Sequence, residues 1–380
     1  MSTWLLVSGD FTPYGGMDRA NFALAKYLAR VRTTAGAVHL VSHRVSPELA
    51  ALAGVHVHTA SRPLGIHTLG EPILRSTARR LRQRLGSEGL RTLANGGNAD
   101  LGDLNWVHYV HAAFDPPAAG LRNWLRVGWT HRRYVADERE ALGHARLVIC
   151  NSTRTADDVV KVGVERDRTR VIYYGIDAAT FSRVEPAERE ASRHALGLPA
   201  DRRLALFVGA LGDRRKGFDT LFSAWRTLCA RPDWDVDLVV VGTGAELESW
   251  KARAVRDLPA NRLRFLGFRR DMPSVLAACD VLIHPARYEA YGLAVHEAIC
   301  RGIPAIVTAS AGVAERYPAD LTTLLLQDPD SVSELTTRLQ GWRSDAGLGA
   351  RVADFAARLR ARTWDHMSRD IVEVAEAAQA

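Results

Sequence analysis

Val281-Leu282-Ile283-His284-Pro285-Ala286-Arg287-Tyr288-Glu289-Ala290-Tyr291-Gly292-Leu293-Ala294-Val295-His296-Glu297-Ala298-Ile299 changes character twice along its length. Val281–His284 is a strand-sized apolar run, Pro285–Glu289 reads as a loop, and Gly292-Leu293 opens a helix that continues through Ala298 and Ile299. Strand, loop, helix is the repeating unit of a parallel α/β sheet, where ligands gather at the carboxyl ends of the strands. The loop and the helix start are therefore where chemistry is expected. Free N–H groups at a helix start suit a phosphate. Glu289 lies in the loop and Glu297 a turn or more inside the helix; each carboxylate can accept bonds from neighbouring sugar hydroxyls. Glutamates eight positions apart are also common as solvated charges, but Glu297 has Leu293, Val295, Ala298 and Ile299 around it.

Outward from this stretch the same alternation repeats. Trp4–Ser8, Val38–Ser42, Val55–Thr59, Trp106–His111, Arg146–Cys150 and Arg170–Tyr174 read as strands, with helical patterns at Asn21–Val31 and Arg154–Lys161. Leu204–Val208, Val236–Val241, Leu263–Leu266, Val281–His284, Ala305–Thr308 and Thr322–Leu326 repeat it. A seam falls near Asp177–Ala195, where Pro186 and a charged run intervene, and Arg343–Ala380 is helical in pattern. At 380 residues and 47% hydrophobic composition, one ordinary core is not enough. The expected architecture is α/β with two Rossmann-like domains, 1–180 and 181–360, a cleft between them, and a last helix, about 361–380, packed back on the first.

Composition narrows the function. The apolar runs are strand-sized, well short of the roughly 18 residues of a membrane span, and the amino terminus has no signal-peptide pattern. Scattered Cys150, Cys229, Cys279 and Cys300 suggest buried thiols in a reducing cytoplasm, without the CxxC pairs of a zinc site. The net charge of +7 favours anionic partners; nucleic acid is discounted because no binding motif accompanies the charge.

Other loops after strands carry candidate ligand groups. Gly15-Gly16 before a helix allows close backbone approach, or is a plain tight turn. It is not the GxGxxG of dinucleotide enzymes. Arg214-Arg215-Lys216, following the strand Leu204–Val208, suits a diphosphate better than a solvated turn because of its place in the unit. Gly242-Thr243-Gly244 is a Gly-rich turn of weaker meaning. Leu263–Phe268 offers backbone amides and an apolar face to a base, or is core.

Taken together, the chain resembles the retaining family 4 glycosyltransferases of the GT-B fold. Glu289 and Glu297 enclose seven residues, with Gly292-Leu293 among them and Ala298 after. Around them, in the family's order, stand Gly15-Gly16, Asn151-Ser152, Gly175-Ile176-Asp177, Lys216-Gly217, Gly242-Thr243-Gly244, Phe265-Leu266-Gly267 and Gly302-Ile303-Pro304. The resemblance covers nearly the whole chain. It implies transfer of a hexose from a nucleoside diphosphate sugar with retention, without metal or cofactor. It assigns Glu289 to the donor sugar, Glu297 to the ribose, and Lys216 with the amides of Tyr291, Gly292 and Leu293 to the diphosphate. Gly15 and Gly16 would face the donor phosphate or the acceptor, and Gly242 and Phe268 would border the donor. His111, ending the strand Trp106–His111, matches the active-site histidine, with His108 the lesser candidate. Two departures stand out. Ala210 replaces the usual Arg, leaving Arg214 or, by preference, Arg215 to supply the charge; and Tyr174-Gly175 replaces the usual Asn-Gly.

A sugar phosphorylase, a nucleotide-sugar epimerase or a silent sugar-binding homologue are the competing readings. For the acceptor, the arginines of Leu74–Leu93 and the Arg/Trp stretch Leu121–Trp129 suit an anionic inner membrane face, or equally a solvated helix or oligomer contact.

Overall fold

The computed structural model describes residues 2–31, 36–114 and 121–378, with the side chains of His67 and of 121–126 excepted. It contains two compact units: 1–175 with 363–380, and 176–362.

The first unit is built on seven parallel strands: β1 (Thr3–Val7), β2 (Val38–Ser42), β3 (Val55–Thr59), β4 (Leu90–Asn95), β5 (Leu104–Val107), β6 (Leu147–Cys150) and β7 (Thr169–Val171). Their spatial order is β3-β2-β1-β4-β5-β6-β7. The order reverses between β1 and β4, and that reversal opens the crevice where α/β sheets hold ligands. Trp4, Leu5, Leu6 and Val7 are fully buried, as a continuous apolar run must be when helices cover both faces.

Three sequence expectations change here. β4 lies inside the stretch Leu74–Leu93 that reads as a basic amphipathic segment. The helix His67–Leu85 stops before Gly86, whose positive φ ends it, and Arg91 is buried in the sheet rather than displayed on a helix face. Leu90-Arg91-Thr92-Leu93-Ala94-Asn95 has no clean alternation because both of its faces are covered. Next, the strand expected at Trp106–His111 ends at Val107, and His111 opens a single 3₁₀ turn, His111–Ala113. The third change is at the carboxyl end. The helical run Arg343–Ala380 is broken into the end of Val332–Ser344, then Leu348–Arg360 and Trp364–Ala377. Of these, Trp364–Ala377 belongs to the first unit, beside the helix Met17–Val31, with Arg30 bonded to Asp365 at 2.6 Å.

The second unit repeats the plan with β8 (Arg203–Val208), β9 (Val236–Val241), β10 (Leu263–Gly267), β11 (Val281–His284), β12 (Ala305–Thr308) and β13 (Leu325–Leu326) in the order β10-β9-β8-β11-β12-β13. The strand expected at Thr322–Leu326 is mostly 3₁₀ turn, Ala319–Leu324, and only its last two residues pair. The charged run after Pro186 forms the helix Pro186–Ala195, with proline at its first turn. Arg189 and Arg193 reach Asp280 at 2.8 Å each, and Asp280 also accepts the N–H of Leu204 at the start of β8.

Among the described residues no helix is long and apolar enough to cross a membrane.

Candidate functional site

In the second unit the sheet order reverses between β8 and β11, so the loops after these two strands lie side by side. Their contact is made by backbone. Gly217 has φ +69°, and a Cβ there would stand 1.9 Å from the Pro285 carbonyl oxygen. Gly242 and Gly244, after β9, are equally tight: a Cβ would fall 1.9 Å from the Gly209 oxygen and 1.8 Å from that of Leu211. The N–H groups of Gly209 and Leu211 donate to Val241 and Thr243 at 3.0 Å, closing the stack. No side chain larger than hydrogen fits at these crossings.

Arg287, which the sequence did not single out, locks the two loops together. Its N–H donates to the Arg215 carbonyl at 2.7 Å, and its guanidinium to the Arg214 carbonyl at 2.5 Å. The same guanidinium grips Asp219 through two bonds of 2.9 Å and pairs with Asp330 at 2.5 Å. A planar fork can make all of these contacts; an ammonium cannot.

With the loops fixed, Lys216 and Glu289 meet. Lys216 Nζ donates to Glu289 Oε2 at 2.8 Å, and His284 Nε2 lies 2.8 Å from the same oxygen. Burial alone would raise the Glu289 pKa, but the Lys216 charge and the His284 and Lys216 hydrogen bonds outweigh it and hold the carboxyl well below the usual range. Glu289 is therefore ionised and acceptor-only, next to a cation. Gly312 N–H donates to the Glu289 carbonyl at 3.1 Å and Val313 N–H to that of Tyr291 at 2.7 Å, pinning the segment before the helix Leu293–Cys300. Gly292, with φ +107°, is the N-cap residue of that helix, where no side-chain capping bond is made. Glu297 is buried in the same helix, while Tyr291 is buried with its hydroxyl 2.8 Å from His296 Nδ1.

The remaining donor-side candidates separate. Arg215 is folded onto Asp213 through contacts of 2.7 to 3.1 Å, whereas the Arg214 side chain is exposed. Phe268 is 67% exposed just beyond β10. Cluster formation thus unites Lys216, Glu289 and His284, and places Arg214 and Phe268 at the rim.

The first unit holds His111, Gly15 and Gly16. Glu138, fully buried on the helix Leu121–His144, accepts the His111 backbone N–H (3.1 and 3.0 Å to its two oxygens) and lies 3.0 Å from His111 Nδ1. This fixes the imidazole and leaves Nε2 as the nitrogen for a ligand. His111 borders a pocket of about 290 Å³ with Met17, Glu71, Asn95, Tyr109 and Tyr134 among its walls. His108 has another part: Nδ1 meets the Tyr174 hydroxyl and Nε2 accepts from Asn95 at 3.0 Å, and burial pushes its pKa down to about 3. Tyr174, the departure from the usual Asn, thus supplies a partner to a buried histidine. Gly15 has φ +81° and Gly16 is open, with nothing within 4 Å of where its Cβ would be. Asp18, in the first turn of the helix that follows, has its pKa raised to about 6 by burial and by nearby Asp10, against Arg44 and Arg62.

Of the Arg/Trp stretch Leu121–Trp129, the side chains of 121–126 lie outside the described residues; Trp129, at its end, is 65% exposed. Among the described residues no group of three or more His, Cys, Asp or Glu side chains is placed to hold a metal ion.

Two family profiles match the chain, Glycosyltransferase Family 4 over residues 14–180 and Glycosyl transferases group 1 over 188–358. It is 29% identical over 291 residues to D-inositol 3-phosphate glycosyltransferase of Corynebacterium urealyticum, covering 72% of this chain and 66% of that one. A second relative of the same name, from Xylanimonas cellulosilytica, is 31% identical over 63% of this chain and 59% of its own length. The matched stretch thus spans somewhat under two thirds of either relative. The fold is that of WaaG, a glycosyltransferase involved in lipopolysaccharide biosynthesis (TM-score 0.77, 20% identity, 98% of this chain and 99% of that one). Anabaena HepE in complex with UDP-glucose shares it (TM-score 0.73, 21% identity, 99% of this chain and 100% of that one). The fold is GT-B, and the chain belongs to the group 1, family 4 glycosyltransferases.

Proposed function

We propose that this chain transfers a hexose from a nucleoside diphosphate sugar to a hydroxyl-bearing acceptor, with retention of the anomeric configuration. The observation that carries the reading is the Lys216–Glu289–His284 cluster, with Glu289 shortly before the helix Leu293–Cys300, whose Gly292 N-cap makes no side-chain capping bond. Glu289 accepts hydroxyls of the donor sugar. Lys216 and the helix-start amides stabilise the charge that builds on the departing diphosphate, the role a metal takes elsewhere. Glu297 accepts the ribose hydroxyls, Phe268 borders the base, and His111 Nε2 serves the transferred sugar. As the bond from the anomeric carbon to the phosphate breaks, the acceptor oxygen bonds to that carbon on the same face, and the acceptor's proton passes to the departing phosphate. UDP is the first nucleotide to try, because HepE binds UDP-glucose in its crystal.

Calorimetric titration with UDP and GDP, and donor hydrolysis measured in EDTA, test this. Lys216→Met and Glu297→Gln should each weaken nucleotide binding roughly tenfold or more. Wild-type affinity and turnover in both variants would overturn the site, and turnover that vanished in EDTA would overturn metal independence.

We also propose a peripheral contact with anionic lipid, favoured by one surface of the first unit. Leu64, Ile66 and Leu69 are exposed at the start of the helix His67–Leu85, and Arg79, Arg80, Arg82 and Arg84 are exposed in its last turns. Binding to phosphatidylglycerol vesicles at low salt, lost at high salt, is expected; equal binding to neutral vesicles would reject it.

A further inference from the structure

The pocket of the first unit contains two carboxylates that do different things. Glu138 is fully engaged by His111. Glu71, on the helix His67–Leu85, is 3% exposed, and its Oε2 is buried without a hydrogen-bond partner. The nearest cation to its other oxygen is Arg75, at 3.7 Å, beyond hydrogen-bond reach. Arg75 is committed elsewhere: one nitrogen donates to Asp137 at 3.0 Å and another to the Gly97 carbonyl at 2.8 Å. Arg133 leans on Asp137 as well, at 3.6 Å. A buried carboxylate oxygen with no donor is costly, and here the fold has spent the nearby donors on a neighbour.

A second acceptor on the same wall is in the same position. Asn95, at the end of β4, uses its amide nitrogen on the Trp106 carbonyl (3.2 Å) and on His108 (3.0 Å), and its Oδ1 is buried with no partner. Its orientation follows from the Trp106 carbonyl, which can only accept: the Asn95 nitrogen lies on that side, His108 Nε2 accepts from it, and the oxygen is turned away. Tyr109 and Tyr134 pack beside His111 with ring centres at 4.5 and 5.2 Å, giving the pocket flat walls. Among the described lining residues none is lysine or arginine. Glu71 and Asn95 thus both border a space of about 290 Å³ whose described walls carry no lysine or arginine, and each keeps one buried oxygen without a partner.

We propose that this pocket receives a hydrogen-bond-donating ring of the acceptor, bearing hydroxyl or ammonium groups, and rejects a phosphorylated one, with Glu71 and Asn95 as the specificity-determining residues. Assigning the occupant to the acceptor rests on the transferase reading; the pocket's preference for donors over anions does not. A hydroxyl or ammonium brought to Glu71 or to Asn95 would supply the donor that its buried oxygen lacks. A phosphate there would bring acceptor against acceptor, and its negative charge against the Glu71 carboxyl.

Three cyclitols of one ring size test it on the full chain: myo-inositol, its 3-phosphate and 2-deoxystreptamine, titrated by ligand-observed NMR. The neutral and amino rings should bind in the millimolar range or better, and the phosphate at least tenfold more weakly than either. Tighter binding of the amino ring than of inositol would assign an ammonium to Glu71, and equal binding a hydroxyl. In Glu71→Gln the discrimination against phosphate should shrink roughly tenfold, and Glu71→Asp, which keeps the charge, should restore part of it. A merely structural role for Glu71 would not produce that rescue. Phosphate binding as tight as inositol, absence of binding by all three, or an unchanged Glu71→Gln profile would each overturn the proposal. UDP titrated into the same samples separates the two readings: loss of UDP binding in the wild type would sink the donor assignment while leaving the cyclitol order to be judged by itself.

Discussion

The two units share the sheet order 3-2-1-4-5-6, which a seventh strand extends in the first, yet they build their sites from different material. In the second unit the site is backbone first. Gly217, Gly242 and Gly244 let three loops touch carbonyl to Cα, Arg287 ties two of them, and Lys216 and Glu289 meet on the loops so fixed. In the first unit the pocket is side chain first. Glu71, Asn95, His111, Tyr134 and Glu138 come from four elements, the last two sharing one helix, and converge through packing and hydrogen bonds, while the Gly16 loop of this unit is open. The consequence is a difference in tolerance. A backbone-built site fails through sterics at a glycine, whereas a side-chain-built pocket can change its chemistry and keep its shape.

The largest effect should come from adding one methyl group to each kind of loop. Gly217→Ala places a Cβ 1.9 Å from the Pro285 oxygen at a φ that favours glycine, so the β8 and β11 loops must separate. Nucleotide binding should fall by about two orders of magnitude, with the second unit destabilised by about 3 kcal/mol. Gly16→Ala meets nothing within 4 Å. It should be neutral, or slightly stabilising through the unfolded chain. Paired thermal melts and UDP titrations check this; similar losses in the two variants would erase the contrast.

The same contrast explains what could be read without coordinates. The strands β1, β2, β8, β9, β11 and β12 are apolar runs bounded by polar or Gly-containing loops, so the doubly built α/β plan was legible. β4 was not, because Arg91 and Asn95 interrupt it and burial on both faces removes alternation. The Lys216 and Glu289 loops could be found because glycines and carboxylates at fixed spacing within one strand–loop–helix unit stay close in sequence. Arg287 stood in view between β11 and Glu289, but its partners Asp219 and Asp330 are distant in sequence, so nothing marked it as a clamp. Glu71 and Glu138 were hidden for the same reason, each lying on a helix whose register against the sheet decides what it meets. Position along a strand also misled: His111 sits past the end of β5, in a turn that Glu138 holds.

A middle-sized effect should distinguish clamp from pocket. Arg287→Lys keeps the charge but loses the fork that joins Asp219 to the Arg214 and Arg215 loop. The donor KM should rise about tenfold while kcat changes less, since the cluster is displaced rather than removed. Glu138→Gln retains one acceptor for the His111 N–H and loses the carboxylate beside Nδ1. With His111 serving the transferred sugar, kcat should fall about tenfold and donor KM should hold. Steady-state kinetics with saturating acceptor give both splits. The reverse pattern would show that His111 acts in donor binding and that Arg287 does not position the cluster.

The smallest effect is in the response to acid, where the units should part. In the first, His108 titrates near 3 and His39 near 4, the former lowered by burial, the latter by burial and then by His56 and His58; His58 is lowered too. The unfolded chain takes up these protons from about pH 6.5 downward and the folded unit does not, so its stability falls as pH drops through that window. Asp18, raised to about 6, and Glu71, also raised by burial, pull the other way, because the folded unit binds their protons first. In the second unit, Glu289, Asp213 and Asp219 are held down by cationic partners against burial. Their contribution is intact above the ordinary carboxylate range and is lost only below about pH 4. Between pH 7 and 5, hydrogen exchange should therefore accelerate in β4, β5 and their neighbours before it changes in β8 and β11. Asp18→Asn removes one opposing group and should steepen the acid loss of the first unit alone. Parallel loss in both units, or earlier loss in the second, would show that the buried histidines do not set the acid limit, and that the side-chain-built pocket is no more sensitive to protons than the backbone-built site.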